Sequence, residues 1–427
     1  MPIPEGNSIP FVDSTKFWRD DVNADTSLSL FRNALLRSGL NKKIENLPAL
    51  TIFAPKNQAF LAAGYTLLKI QTMKVSEIDD LLSLHITSNQ INPADIASNA
   101  ISIGLKSMYL DPYFKEYFST NYSDYYYRNH IAVVGENILL NGNVISQIPQ
   151  VKVLKGATIV PTEAILPLPT KDSRQILLED PRFSMFMQIR RHNDSLYNSI
   201  LRLKPTYIYE TTYDKRYVLP VTPNTNAGKQ KPVMDYLSAE NYLYDTRTKS
   251  FQKNNQLVVS TIFVPTNQAF KDAGFETVED FLKLNDRSIP EFYSPLPNTL
   301  TGFLATDSIL NNHFWGINTV KVLNTNRGLV ENLETQPVFP QTFYFNDLIS
   351  ENLKAYSPGT IVSQYTGWQT SMINPLEFKS SDNTISVHVK GSNFPEAKII
   401  QKDIRSINGV IHVVDKLLIP SGFKLSK

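Results

Sequence analysis

Between Ser27 and Leu40 the apolar residues Leu28, Phe31 and Leu35 recur at helical spacing with Ala34 beside them, and Gly39 stands at the end. That pattern predicts an amphipathic helix with one face turned to a core. Thr51, Ile52 and Phe53 are β-branched or aromatic, as in a buried strand, and Pro55 ends the ladder by removing a backbone donor. From Ser76 to Ile86 the helical spacing returns through Ile78, Leu81, Leu82 and His85, until the stretch from Asn89 to Pro93 breaks it. Ile131 to Val134 and Ile138 to Leu140 flank Gly135-Glu136-Asn137, with a second turn at Asn141-Gly142, which together predict part of a sheet.

Part of this pattern occurs twice. Thr51 to Tyr65, TIFAPKNQAFLAAGY, returns as Thr261 to Phe275, TIFVPTNQAFKDAGF, so the chain reads as two related domains. Asn57 and Asn267 are suited to cap the helix that follows, and Gly64 and Gly274 to close it in a left-handed conformation. Later in each copy, GATIVPTEAILP (Gly156 to Pro167) aligns without gaps on GVIHVVDKLLIP (Gly409 to Pro420). Ile159 then stands where His412 stands, Pro161 replaces Val414 and Thr162 replaces Asp415. Only the apolar strand role carries over. Pro161, Pro167 and Pro169 interrupt regular structure, and a new helical pattern begins around Asp180 with Phe183, Phe186, Met187 and Arg190. The expected domains are therefore 13–169 and 170–427. The second is inflated by about forty residues between its signatures and by a tyrosine-rich insertion from about Lys204 to Lys253.

The duplicated stretch resembles the first signature of the fasciclin-type adhesion domain, roughly T-V-F-A-P-T-N-x-A-F. Asn408 to Pro420, NGVIHVVDKLLIP, is similar to that family's second block. The resemblance implies an α+β fold of two tandem domains, each a wedge of β-strands with helices packed at one side. It implies an opening helix like Ser27 to Leu40, with Ser38-Gly39-Leu40 in the place of an Ala-Gly-Leu-like turn. It also implies an extracellular or cell-surface adhesion or ligand-binding protein without enzymatic turnover. In some members recognition is attributed to an Asp-Ile pair ahead of the second signature, matched here by Asp403-Ile404. A Tyr-His pair is also invoked, matched here only in part, since Leu84 precedes His85. Tyr207, Tyr209, Tyr213 and Tyr217 of the insertion join Asp403, Ile404 and His85 as candidate partner contacts. Exposed aromatics stack on sugar rings or anchor a protein interface, or else pack an insertion onto its own domain.

Charge and composition narrow the partners. The formal net charge of +2 comes from 42 basic and 40 acidic residues without a long single-sign run, so no electrostatic footprint for nucleic acid is present. The chain has no cysteine, which excludes disulfides and thiolate chemistry. No run of about 18 apolar residues suggests a spanning helix. Met1 to Pro10 has no basic n-region or apolar core; the resemblance implies the mature end of an exported, lipid-anchored outer-membrane protein whose signal was removed, the other reading being a cytoplasmic protein with its natural start. The expected partners are a protein or glycan at the cell surface, with no nucleic acid, and with the membrane only through such an anchor.

No phosphate-cradling, dinucleotide, nucleophile-elbow or zinc-helix motif occurs, and the six histidines are scattered, so no catalytic residue, metal site or cofactor is expected. His388 and His412 lie in alternating segments that could be neighbours; on an apolar face, His412 reads as a buried hydrogen-bonding residue. Paired carboxylates for sugar hydrolysis leave no local spacing. The alternative reading is accordingly a carbohydrate-active enzyme or an accessory subunit of a polysaccharide-processing system. Two sequons, at Asn121 to Ser123 and Asn193 to Ser195, matter only in a glycosylating pathway.

Overall fold

The computed structural model describes residues 12–13, 15–118, 121–202, 232–233, 237, 239, 241–245, 250–254, 257, 259–287, 291–292, 300–301, 304–315, 321–324, 328–331, 342–353, 359–362, 368–372, 376–381 and 384–425. The chain divides into two compact units, Met1–Leu168 and Pro169–Lys427.

In the first unit β1 (Val12–Asp13) precedes helices α1 (Trp18–Ala24), α2 (Ser29–Ser38) and α3 (Leu40–Ile44). Gly39, at φ 74, turns α2 into α3. The duplicated stretch forms β2 (Leu50–Pro55) and α4 (Asn57–Ala62), followed by α5 (Leu67–Thr72), α6 (Val75–Ser83), β3 (Ile86–Thr87) and α7 (Pro93–Ala97). A long hairpin, β4 (Ile103–Phe118) with β5 (Asn121–Val134), continues through β6 (Asn137–Leu140) and β7 (Asn143–Gln147) to a second hairpin, β8 (Lys152–Leu154) with β9 (Ala157–Thr162). The strands make one nine-stranded sheet in the order β1-β8-β9-β2-β3-β4-β5-β6-β7.

β2 lies parallel to β9, and every residue of both is buried. A strand covered on both faces reads as a continuous apolar run, which is why Thr51 to Phe53 shows no alternation. Ile52, Ala54 and Ile159 face a cluster with Phe31, Leu35 and Phe60 from the helices. Phe53 and Val160 face the other cluster, with Ile131, Ile138 and Val153. Each fully buried Phe or Leu contributes about 2 kcal/mol of hydrophobic stabilisation, so this double-sided packing is the main support of the unit.

The second unit opens with α8 (Ser173–Glu179), capped by Asp172 in a reciprocal box with Gln175, and α9 (Ser184–Arg202). An insertion contributes a three-stranded sheet, β10 (Pro232–Val233), β11 (Asn241–Asp245) and β12 (Ser250–Asn254). Then comes the second copy of the signature, β13 (Ser260–Pro265), α10 (Asn267–Asp272) and α11 (Val278–Leu282). A ribbon of β14 (Glu291–Phe292) and β15 (Leu300–Thr301) precedes α12 (Ala305–Leu310) and β16 (Phe314–Trp315). Further inserted strands, β17 (Lys321–Asn324), β18 (Gly328–Glu331), β19 (Gly359–Val362) and β20 (Trp368–Met372), form a separate four-stranded sheet, with α13 (Ser350–Leu353) between β18 and β19 in the chain. The principal sheet ends with β21 (Leu376–Ser381), β22 (Thr384–Val389), β23 (Ala397–Ser406) and β24 (Gly409–Val414), in the order β16-β13-β24-β23-β22-β21. The shared kernel is thus β8-β9-β2-β3 in one unit and β23-β24-β13-β16 in the other, each with a parallel central pair.

Two expectations change in detail. Asn57 and Asn267 do not cap their own helices, whose N-caps are Lys56 and Thr266. Asn57 Oδ1 instead accepts from Leu30 N–H at 2.9 Å, and Asn267 Oδ1 from Met185 N–H at 2.9 Å. Each asparagine satisfies the first turn of the helix before the strand, tying two segments far apart in the chain.

The correspondence between the two second signatures also shifts by one residue. Phe53 pairs with Val160 and Phe263 with His412, so Val160, not Ile159, holds the place of His412. Pro161 and Thr162 correspond to Val413 and Val414, and Glu163 to Asp415. The reason lies in the turns. β8 and β9 turn on Lys155-Gly156, whereas β23 and β24 turn on Ile407-Asn408. Gly156, at φ 67, is a turn residue. Gly409 is the first residue of its strand, at φ 135, where a Cβ would stand 1.9 Å from Ser260 O. Matching glycine to glycine therefore matches residues with different work.

Candidate functional site

Three histidines occupy the kernels, and each is spent on backbone groups. His85, fully buried, follows α6; its Nδ1 contacts Phe53 O at 2.9 Å and its Nε2 accepts from Leu166 N–H at 3.0 Å. The ring is thus the neutral Nδ1–H tautomer, donating to one strand and accepting from the segment after β9. His313, just after α12, repeats this with Phe263 O at 2.6 Å and Leu418 N–H at 3.1 Å. The two residues are counterparts, although the insertions give them different spacing from their signatures. Burial pushes both rings down to about 4, only partly opposed by the carbonyl each donates to. A proton on Nε2 would point at an amide N–H.

His412 has no counterpart histidine in the first unit. Its Nε2–H donates to Phe343 O at 3.0 Å, and its Nδ1 accepts from Asp403 N–H at 3.3 Å. The ring stacks on Phe263, with centroids 5.5 Å apart and planes at 23°. Burial holds it at about 4. Asp403 Oδ1 lies 3.9 Å from Nδ1, yet the two groups are not an ion pair, because Nδ1 already accepts a hydrogen bond from a backbone amide.

Asp403 sits in an irregularity of β23. Ile399 pairs with Val414, Gln401 with Val413 and Ile404 with Ile411, so Ile400 is one extra residue and Lys402 and Asp403 together oppose His412: the strand bulges twice within this stretch. Asp403 takes φ 56, a left-handed conformation that aspartate tolerates better than most residues. This turn sends its carboxylate inward, leaving the side chain 6% exposed. Oδ1 accepts from Phe345 N–H at 2.8 Å, while Oδ2 has no hydrogen-bond partner among the described residues. Burial pushes the carboxyl up to about 6, with the Phe345 amide and the charge of Lys402 drawing it partly back.

The predicted contact residues therefore divide. The His85 and Asp403 side chains are buried and engaged with backbone groups of the kernel. Ile404 is partly buried and packs against the main core of the second unit. Tyr207, Tyr209, Tyr213 and Tyr217 lie outside the described residues. In the first unit Tyr125 and Tyr127 are buried and meet edge to face, whereas Tyr126 is 36% exposed. His388 is not brought beside His412, because β23 separates their strands; its Nδ1 meets Glu377 Oε1 at 2.8 Å. Asn193 of the second sequon is fully buried, donating to Thr306 Oγ1 and Asp307 Oδ1 at 2.8 and 2.9 Å.

What the bulge does present was not legible in the motif. Ile400 is 56% exposed, and the Lys402 ammonium lies 4.3 Å from the centre of the Phe345 ring. Arg182 Nη2 donates to Gln401 Oε1 at 2.9 Å, bracing the same strand. Phe343 and Phe345 enter from a segment that the insertion separates from the signature, so no local spacing announces them. Among the described residues no group of three histidines and carboxylates could hold a metal ion, and no helix is long and apolar enough to cross a membrane.

A family model described as the fasciclin domain matches residues 26–152 and 322–420, more than half of the chain, and the protein belongs to that family. Among solved structures it is similar to one titled as a FAS1 domain pair from the insect cell adhesion molecule fasciclin I, at 13% identity. That match covers 92% of this chain and 97% of the other, with a TM-score of 0.26. No curated protein matches.

Proposed function

We propose that this protein is a non-enzymatic, cell-surface adhesion or ligand-binding protein that recognises a protein or glycan partner through its second unit. Family membership supports the adhesive class. The observation that carries the placement is the bulge of β23. Asp403 is bent inward and held by the Phe345 amide, while Ile400, the extra residue between Ile399 and Gln401, and Lys402 stand exposed on a braced strand. A fixed apolar and cationic pair of this kind suits a partner surface, since it is ordered before binding. The same unit carries the inserted sheets, and the sequence of the tyrosine-rich insertion supplies aromatic residues of the kind that stack on sugars. We place the protein outside the cell, lipid-anchored at an outer membrane.

The experiment is a glycan array combined with pull-down from a native envelope, using the full chain and an Ile400→Ser/Lys402→Ala variant. A partner lost or weakened roughly tenfold in the variant supports the assignment. Silence in both assays, or a partner retained unchanged by the variant, overturns it. Turnover on a polysaccharide panel would instead favour a carbohydrate-active enzyme.

A further inference from the structure

The corner formed by α4 and α5 in the first unit differs from its counterpart in a way the fold does not require. α5 is anchored by Ile70, which is buried, and opened by Thr66, whose side chain accepts from Lys69 N–H. Leu61, Leu67 and Leu68 nevertheless face solvent, at 54%, 43% and 70% exposure. Lys69 and Lys74 are exposed beside them. From Asn46 to Ser76 the sequence contains no Asp or Glu. In the second unit Thr277 caps α11 as Thr66 caps α5, so Leu67, Leu68 and Lys69 correspond to Val278, Glu279 and Asp280. Leu61 corresponds to Lys271 in the duplicated stretch, and Asp272 and Glu276 lie between. One framework therefore carries exposed leucines and lysines in one copy, and acidic residues at the matching positions in the other.

We propose that the α4–α5 corner of the first unit lies on an anionic lipid surface, with Leu61, Leu67 and Leu68 entering the headgroup layer and Lys69 and Lys74 meeting lipid phosphates. Exposed leucines flanked by lysines, with the first acid, Glu77, only beyond Lys74, match the two attractions that hold interfacial helices: apolar burial and the negative potential of the leaflet. A protein partner would need complementary acids against the same lysines. A second copy of this chain would place lysine against lysine if the corner met itself. This contact is distinct from recognition at the β23 bulge and from any covalent anchor.

The test is sedimentation of the full chain with vesicles of phosphatidylglycerol and phosphatidylcholine, against phosphatidylcholine alone. Binding should require the anionic lipid and weaken as salt rises. Leu67→Ser/Leu68→Glu introduces polarity like that of the second copy, and should abolish binding with the melting temperature retained. Lys69→Glu/Lys74→Glu should weaken binding at least about tenfold, and it tests the idea independently should the leucine variant fold poorly. Absence of binding to anionic vesicles, or binding unchanged in both variants, overturns the proposal. So does self-association removed by Leu68→Glu without vesicle binding, which would make a second copy the occupant. Ile400→Ser/Lys402→Ala should leave vesicle binding unchanged, so failure of one site is distinguishable from failure of the other.

Discussion

Acid should unfold this protein through its buried histidines. His85, His313 and His412 have rings held at about 4 in the folded chain, against an ordinary value of 6.5. The unfolded chain thus takes up a proton on each ring that the folded chain refuses, and stability is lost as pH falls from 6.5 towards 4. Each shift corresponds to about 3 kcal/mol at full development. The first unit carries one such ring and the second carries two. Asp403 works in the opposite sense: its carboxyl is raised to about 6, so it favours folding at low pH and costs up to about 3 kcal/mol once ionised. The second unit should therefore lose roughly 3 to 4 kcal/mol net, close to the loss in the first. Calorimetric melting from pH 7.5 to 4 should show both transitions falling through this window. Imidazole Cε1–H resonances followed by NMR provide the direct check. Titration of His85, His313 and His412 near 6.5 in the folded protein, or melting that stays level across the window, would refute the reasoning.

Further outcomes follow from single contacts. Asp403→Asn keeps an acceptor for Phe345 N–H and removes the buried charge, so chemical denaturation at pH 7.5 should show the second unit more stable by up to about 3 kcal/mol, with a steeper loss on acidification. His313→Ala leaves Leu418 N–H and Phe263 C=O without their bridge and opens a cavity; urea titration should show a loss of about 3 to 5 kcal/mol. Asn267→Ala removes the acceptor for Met185 N–H and should cost about 1 to 2 kcal/mol by the same measurement. Gly409→Ala cannot keep the parallel pairing of β24 with β13, given the approach of Ser260 O, and circular dichroism should show a second unit with a markedly lowered melting temperature.

The resemblance between the two copies was legible because it rests on local demands. A strand buried on both faces needs the unbroken apolar run at Thr51 to Phe53 and again at Thr261 to Phe263, and the turns at Gly64 and Gly274 need positive φ, found at 80° and 91°. Repetition of those demands at a distance is enough to reveal two domains. The turn at Asn141-Gly142 was readable for the same reason, with φ of 53° and 77°.

Long-range partners were not readable in this way, because a side chain's sequence neighbours do not say which backbone group it meets. Asn57 looks like the cap of α4 and serves α2 instead. His85 and His313 do the same work, yet insertions of different length hide the equivalence. The gapless match of Gly156 with Gly409 is off by one, since the glycine serves a turn in one copy and a close strand approach in the other. The Asp-Ile pair reads as a contact, whereas Asp403 turns into the core and Ile400 and Lys402 stand outside. By itself, then, the sequence determined the duplicated kernel, through backbone conformation and apolar periodicity. Only the tertiary structure decided which polar groups face inward, because that depends on the buried donors and acceptors that distant segments bring together.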